Sequence, residues 1–380
     1  MPSEQRPPLP AFVLYFLKLG TIGFGGPIAL TGYMQRDLVE QRRWISEPDY
    51  KEGLSLAQLA PGPLAAQLAI YLGWIRAGVL GATLVGLAFV LPSLVMVLVL
   101  SAMYVRFGGL PWMQGAFYGV GAAVIAIIAQ SARKLTRLTL GRDRFLWLIF
   151  GVSGVVTAWT ESEIFWLFVA AGLVTMLARG LARSRGISAL ILPVPGCLLA
   201  AVFEPMSAGL LSKLFYYFAA ASMLVFGSGL AIVPFLHAGV VQQFHWLNER
   251  QFLDAVAVSM ITPGPVVITV AFIGFLVAGL AGSLVAALGM FLPTYLVVVL
   301  AAPHYRRFAG NLQVRAFVDG VTAAATGAIA GAVFVLGRRA IVDLPTILIA
   351  LVVFGILGVT KKIPDPILII LAGVAGLLLR

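Results

Sequence analysis

The chain contains one pattern of helix-breaking residues twice. Phe-Gly-Gly at 24–26, Trp44 and Pro-Gly-Pro at 61–63 return, 202 residues later, as Phe-Gly-Ser at 226–228, Trp246 and Pro-Gly-Pro at 263–265. After these elements the offset is 201, and Leu-Pro at 91–92 returns at 292–293. Proline removes a backbone donor and clashes with the preceding helical turn, so both copies must interrupt their helices at equivalent places. The pattern predicts a fold built from two similar units.

The composition places both units in a membrane. Hydrophobic residues make up 61% of the 380 residues and charged residues only 11%, whereas soluble domains carry roughly 25% charge. Apolar stretches of about 18 residues recur, each long enough to cross a bilayer as a helix. Continuous apolar runs exclude the alternating strands of a β-barrel. We therefore expect an all-α polytopic membrane protein embedded in a lipid bilayer. Its single cysteine, Cys197, excludes an intramolecular disulfide and a cysteine metal cluster.

The apolar runs predict about thirteen membrane spans. An N-terminal tail (1–10) precedes a first repeat (11–185), a linker helix (186–208) and a second repeat (209–380). The predicted helices are 11–30, 54–75, 78–105, 112–133, 144–160, 163–180, 187–203, 211–237, 252–274, 276–302, 313–337, 343–360 and 364–380. Seven spans separate equivalent positions, so the second repeat should be inverted relative to the first, about an axis in the membrane plane.

The formal net charge of +11 fits the excess of basic residues in cytoplasmic loops. The basic loop around Arg133 and Arg137 and the one after Arg179 lie two spans apart. If both face the cytoplasm, the N-terminus is cytoplasmic and the C-terminus is outside. Arg338 and Arg339 would then fall outside, against the rule. Short basic clusters between spans do not indicate nucleic-acid binding.

The Pro-Gly-Pro elements are the strongest functional signal. An unpaired backbone group in hydrocarbon costs several kcal/mol, so a broken helix survives only inside protein or beside a wet cavity. The helix that restarts after a break offers free N–H groups and a positive dipole end, which suit an oxyanion. A static kink is the alternative. We expect the breaks at 24–27, 61–63, 226–229 and 262–265 to meet near the midplane. The candidate substrate-binding residues are Gly25, Gly26, Gln58, Pro61, Gly62, Pro63, Gln67, Gly227, Ser228, Thr262, Pro263, Gly264, Pro265 and Thr269.

Charged residues near the breaks suggest two further roles. The candidates for attracting an anion are Lys18, Arg36, Arg42 and Arg43, with snorkelling or contact with lipid headgroups as the alternative. The candidates for carrying a coupling proton are Glu52, Asp254 and Asp319, because ionisable groups within spans are commonly functional. Helix capping is the alternative role of these carboxylates.

The sequence carries no readable motif for ATP binding, nucleophilic catalysis or metal binding. No phosphate-binding loop of the Gly-x4-Gly-Lys-Ser/Thr type is present, so ATP is not expected as the energy source. No nucleophile–histidine arrangement or metal-ligand spacing is readable, and we expect neither an enzyme nor a cofactor or metal. Energy should come from an ion gradient.

These motifs resemble the chromate ion transporter family in its long, two-domain form. The first-half resemblance rests on Phe24 to Pro27, Arg42-Arg43-Trp44, Gln58, Pro61 to Pro63, Gln67 and Gly73. The second-half resemblance rests on Phe226-Gly227, Pro234, Trp246, Phe252-Leu253, Thr262 to Pro265 and Phe291 to Pro293. The resemblance implies proton-motive efflux of chromate from the bacterial cytoplasm across the inner membrane, and chromate resistance. A sulfate or other oxyanion carrier, a passive anion channel and a membrane-bound enzyme or scaffold are the alternatives. A homodimer is left open as the assembly.

Overall fold

The computed structural model describes residues 7–24, 26–107, 111–160, 165–181, 209–225, 232–304, 311–359 and 363–379. These ranges form fourteen α-helices and no strand. The first repeat comprises α1 Leu9–Ile22, α2 Gly26–Met34, α3 Glu47–Leu59, α4 Leu64–Phe107, α5 Pro111–Leu140, α6 Arg144–Thr160 and α7 Phe165–Leu181. The second comprises α8 Leu210–Leu224, α9 Ile232–His237, α10 Glu249–Ile261, α11 Thr269–Ala301, α12 Leu312–Ala340, α13 Leu344–Val359 and α14 Asp365–Leu379.

The two repeats share irregular local features as well as helices. A π-helical turn extends α2 through Gln35–Gln41, and another extends α9 through Ala238–Gln243. The next helix is capped in both copies, by the side chain of Ser46 at α3 and by that of Asn248 at α10. A cap satisfies backbone donors that a helix start leaves unpaired. The repetition seen in the sequence therefore extends to the details of the backbone.

Helices α4 and α11 are each a hairpin of two arms. Ala77 and Gly78 leave the helical conformation, with φ of 58° at Gly78, and the equivalent Gly279 has φ of 60°. A methyl group added to Gly73 would lie 2.5 Å from the carbonyl oxygen of Gly81, although eight residues of straight helix span about 12 Å. The chain therefore reverses at Gly78. The arms are 64–76 and 79–107 in α4, and 269–277 and 280–301 in α11.

Packing joins the two repeats into one helical body. Within the first repeat, α1 packs closely against the second arm of α4, where Gly20 meets the backbone of Phe89. Between the repeats, α12 packs against α5, α6 and α7, and α14 packs against α5. Gly327 and Gly331 allow α12 to approach α6 closely, as small residues do between membrane helices. The repeats therefore share a core.

Among the described residues, four helical segments are long and apolar enough to cross a membrane, counting each hairpin as one segment. They are Leu64–Phe107, Met113–Arg137, Val266–His304 and Leu312–Ala340. Large apolar side chains cover much of the outer surface, including Leu80, Leu148 and Leu351, each more than 60% exposed. An outer surface of this kind fits a lipid environment.

Several sequence-based helix boundaries need correction. The predicted helix 11–30 is two helices, because α1 ends at Ile22 and α2 begins at Gly26. The predicted helix 211–237 ends at Leu224 and is followed by α9. Helices 54–75 and 252–274 are divided by their Pro-Gly-Pro elements, as the sequence indicated. The linker helix 187–203 lies outside the described residues, so the count of thirteen spans stays a prediction.

Candidate functional site

The helix breaks of the two repeats bond to each other crosswise. The amide of Gly62 donates to the carbonyl oxygen of Val225 (2.7 Å), and the amide of Gly264 donates to that of Gly23 (2.9 Å). Gly62 and Gly264 are equivalent positions, and so are Gly23 and Val225, at the same offset of 202. Each Pro-Gly-Pro element therefore lies against the end of the first helix of the other repeat. We call these two contacts the crossed breaks.

The crossed breaks leave no room for a side chain at either central glycine. A methyl group on Gly62 would lie 2.9 Å from the Thr294 hydroxyl, and one on Gly264 would lie 2.0 Å from that of Ser93. Both glycines also adopt positive φ, 133° and 99°, a conformation that residues with a Cβ atom rarely adopt. Ser93 and Thr294 occupy equivalent positions too. Sequence reasoning missed them, although each directly follows a proline of the duplicated Leu-Pro pair, Pro92 or Pro293.

The first turn of α4 presents buried amides next to the crossed breaks. Its first main-chain helical bond runs from the amide of Gln67 to the carbonyl oxygen of Pro63 (2.9 Å). The amides of Leu64, Ala65 and Ala66 precede that bond, and none has a hydrogen-bond acceptor among the described residues. All three residues are at most 5% exposed. This turn therefore combines unpaired donors with the positive end of a helix.

The side-chain amide of Gln67 hydrogen-bonds to the backbone of the first break. Its Nε2 donates to the carbonyl oxygens of Ala60 (3.2 Å) and Pro61 (2.6 Å). The side chain is fully buried, and its Oε1 accepts no hydrogen bond from the described part of the chain. The amide thus satisfies two carbonyls released by the break and keeps one unused acceptor.

The threonines at the second break bond to their own helices. The Thr262 hydroxyl donates to the carbonyl oxygen of Val258 (2.7 Å), and the Thr269 hydroxyl donates to that of Val266 (2.8 Å). This is the backbone bonding typical of helical threonines. Each hydroxyl retains acceptor capacity, but its proton is engaged. The expected donor role of Thr262 and Thr269 is therefore not present in this conformation.

The basic candidates lie on exposed surfaces. Lys18 and the polar candidate Gln58 are both exposed. Arg36 forms an ion pair with Asp37 (2.9 Å). Arg42 stacks over the ring of Trp44, 4.5 Å from its centroid.

Arg43 is also exposed and has φ of 54°. Together with Arg42 it follows the π-helical turn rather than a break. The structure thus keeps both arginines at the surface, where attraction of an anion stays a prediction.

The three acidic candidates have different surroundings. Asp254 is 3% exposed and accepts a hydrogen bond from the Tyr104 hydroxyl (2.7 Å), which comes from the other repeat. Its equivalent, Glu52, is only partly buried. Asp319 pairs with Arg179. Only Asp254 is a buried carboxylate held between the repeats.

Arg179 also bonds Asp143, in the turn after α5, at 2.7 Å. This hydrogen bond lowers the pKa of the Asp143 carboxyl below its ordinary value. Sequence reasoning missed this three-residue cluster, since its members lie far apart in the chain.

The remaining candidates are Ser228 and the glycines and prolines of the breaks. Gly25, Gly227 and Ser228 lie outside the described residues. Gly26 begins α2 with φ of 73°. Pro63, Pro263 and Pro265 are buried, and Pro61 is partly buried.

Comparison with known proteins gives a consistent result. The family model described as "Chromate transporter" matches residues 11–176 and 212–377, one match in each repeat. The "Chromate transport protein" of Cupriavidus metallidurans is 57% identical over 371 residues, covering 96% of this chain and 92% of that protein. The "Probable chromate transport protein" of Synechococcus elongatus is 55% identical, with 96% and 94% covered. A "Chromate transport protein" of Pseudomonas aeruginosa is 30% identical, with 98% and 94% covered. No solved structure gives a significant match.

Proposed function

The chain belongs to the chromate transporter family, and we propose that it exports chromate from the bacterial cytoplasm across the inner membrane. Membership indicates a membrane-embedded transporter of an oxyanion rather than an enzyme. Export driven by the proton-motive force would confer chromate resistance. The observation that carries the proposal is the buried, unpaired first turn of α4 beside the crossed breaks.

The first turn of α4 would bind the oxyanion through backbone amides. The amides at 64–66 are buried donors without acceptors among the described residues. A tetrahedral dianion offers four oxygens, and donors at a helix start are suited to such a group. Because the binding groups carry no full charge, the ion is not held by a buried salt bridge and can leave again. The breaks at 24–27 and 226–229 would complete the site.

The two repeats, 11–185 and 209–380, would be inverted relative to each other, because seven predicted spans separate equivalent positions. The crossed bonds support a pseudo-two-fold axis between the repeats, because such an axis exchanges equivalent residues. Rocking of one repeat against the other would then open the site alternately to the two sides. On this proposal the N-terminus is cytoplasmic, and thirteen spans place the C-terminus outside.

Asp254 is the best candidate for the coupling proton. It is a buried carboxylate in α10, and the tyrosine that binds it belongs to the other repeat. Protonation would remove its charge and weaken the bond from Tyr104. Movement between the repeats would thus be linked to proton uptake. Glu52 and Asp319 are weaker candidates, since the first is less buried and the second is paired with Arg179.

Transport by purified protein in proteoliposomes tests the proposal. We expect chromate flux against its gradient when a pH gradient is imposed, and collapse of that flux on adding an uncoupler. Flux that ignores the pH gradient and never runs uphill would indicate a passive channel. Absence of any flux would favour an enzyme or scaffold. Stronger competition by sulfate than by unlabelled chromate would identify a sulfate carrier.

A further inference from the structure

A basic cleft opens on the outer surface, away from the crossed breaks. Its walls are α5 and α6, its floor is α12, and its volume is about 370 Å³. Ala129, Ala132, Phe150, Ala330 and Val333 give it an apolar interior. This volume falls within the range of about 300–1,000 Å³ typical of small-molecule sites. The cleft is therefore large enough for part of a small amphipathic molecule.

Two arginines border this cleft. Arg133 and Arg137 lie one helical turn apart on α5, and both are exposed. Neither has a carboxylate within 4 Å in the described ranges, unlike Arg179 nearby on α7, which binds two. The Arg133 guanidinium instead lies 5.8 Å from the ring centroid of Phe354. The two unneutralised cations thus form one positive edge above an apolar floor.

The exposed surroundings indicate what kind of anion fits. Trp147 lines the cleft and is 46% exposed, and the neighbouring Leu148 is 62% exposed. Exposed tryptophan beside basic residues is typical of the membrane interface. A small soluble anion would use the arginines but leave the apolar floor unfilled. A lipid with an anionic headgroup matches both parts of the cleft.

We propose that this cleft binds an anionic phospholipid. Arg133 and Arg137 bind the headgroup phosphate, and the first part of an acyl chain lies along the floor against Phe150 and Val333. Because α5, α6 and α12 come from both repeats, the lipid bridges them. The site is independent of the transported oxyanion.

Lipid titration of the purified full-length protein in detergent tests the proposal, with native mass spectrometry to measure the dissociation constant. We expect phosphatidylglycerol to bind and phosphatidylcholine to bind at least tenfold more weakly. The double variant Arg133→Ala/Arg137→Ala should lose about thirtyfold in affinity for phosphatidylglycerol, since each basic residue near a lipid phosphate contributes about 1 kcal/mol and each 1.4 kcal/mol is a factor of about ten. Arg142→Ala removes an exposed arginine from the same segment but outside the cleft, and should bind as the wild type does.

Two results would overturn the proposal. One is equal affinity of the double variant and of Arg142→Ala for phosphatidylglycerol. The other is displacement of the lipid by inorganic phosphate at millimolar concentration, because a soluble anion would then suffice. A second readout uses phosphatidylglycerol with brominated acyl chains, which should quench wild-type fluorescence more than that of Trp147→Phe. Equal quenching would contradict the placement of the acyl chain.

Discussion

The two Pro-Gly-Pro elements have the same backbone and different side-chain chemistry. Gly62 and Gly264 donate to equivalent carbonyls of the opposite repeat. Yet the first element is followed by the buried amide of Gln67, and the second by Thr269, whose hydroxyl bonds to its own helix. The duplication thus preserved the break while the surrounding side chains diverged. On the proposed function, the backbone breaks define where the oxyanion binds, and the side chains around them give the two repeats different roles.

The largest expected effect comes from filling a crossed break. Gly264→Val places its Cβ atom 2.0 Å from the Ser93 hydroxyl at a positive φ, so we expect at least a hundredfold loss of chromate transport in vesicles. Gly62→Val should be similarly inactive, because the two breaks are equivalent. Gly151→Val is the matched control, since no atom of the described residues lies within 4 Å of its Cβ position. Transport by Gly264→Val at the wild-type rate would show that transport does not require a glycine at this position.

A second prediction separates the acidic residues of the two repeats. Asp254→Asn removes the buried carboxylate that Tyr104 binds, and we expect at least a tenfold loss of transport driven by a pH gradient. Counterflow exchange without a gradient should persist. Glu52→Gln, at the equivalent but less buried position, should change driven transport less than threefold. Equal losses in both variants would assign coupling to neither carboxylate in particular.

A third prediction concerns the residues after each break. Gln67→Leu leaves the carbonyls of Ala60 and Pro61 without their donor, and each buried unsatisfied group costs about 1–3 kcal/mol. Its thermal midpoint in detergent should fall by several degrees. Thr269→Val removes a single bond within one helix turn and should shift the midpoint little. The reverse order would show that the second break, not the first, depends on its side chain.

The smallest effect concerns the cluster outside the breaks. Arg179 lowers the pKa of Asp143, so the pair stabilises the fold above the ordinary aspartate pKa of about 3.9 and loses that contribution as pH falls through the lowered value. Asp143→Asn should flatten the decline of the melting temperature below about pH 4. An unchanged acid decline in this variant would mean that Asp143 contributes nothing to it.

The sequence predicted the breaks because their cause is local. Two prolines around a glycine remove neighbouring backbone donors, so 61–63 and 263–265 interrupt their helices. The single prolines Pro92 and Pro293 do not, since each lies inside the second arm of its hairpin. The apolar runs predict helix boundaries at 75–78 and 274–276, but they do not predict that the chain reverses at Gly78 and Gly279. A positive φ at glycine is not readable from an apolar run of this kind.

The partners of the breaks depend on the tertiary structure. The bond from Gly62 to Val225 joins residues far apart in the chain, and no pattern near either residue specifies it. The same holds for Asp254 and Tyr104, and for Arg179 with its two carboxylates. The repeat could, however, have identified Ser93 and Thr294, since both follow the duplicated Leu-Pro pair.

A structure of the protein loaded with chromate, with anomalous diffraction data collected at the chromium edge, tests the account most directly. We expect one strong chromium peak beside the first turn of α4, with oxygens within hydrogen-bond distance of the amides at 64–66. The same data from crystals of Gly264→Val should lack that peak. Chromium found only among surface arginines such as Arg42 and Arg43, with the crossed breaks empty, would contradict the account.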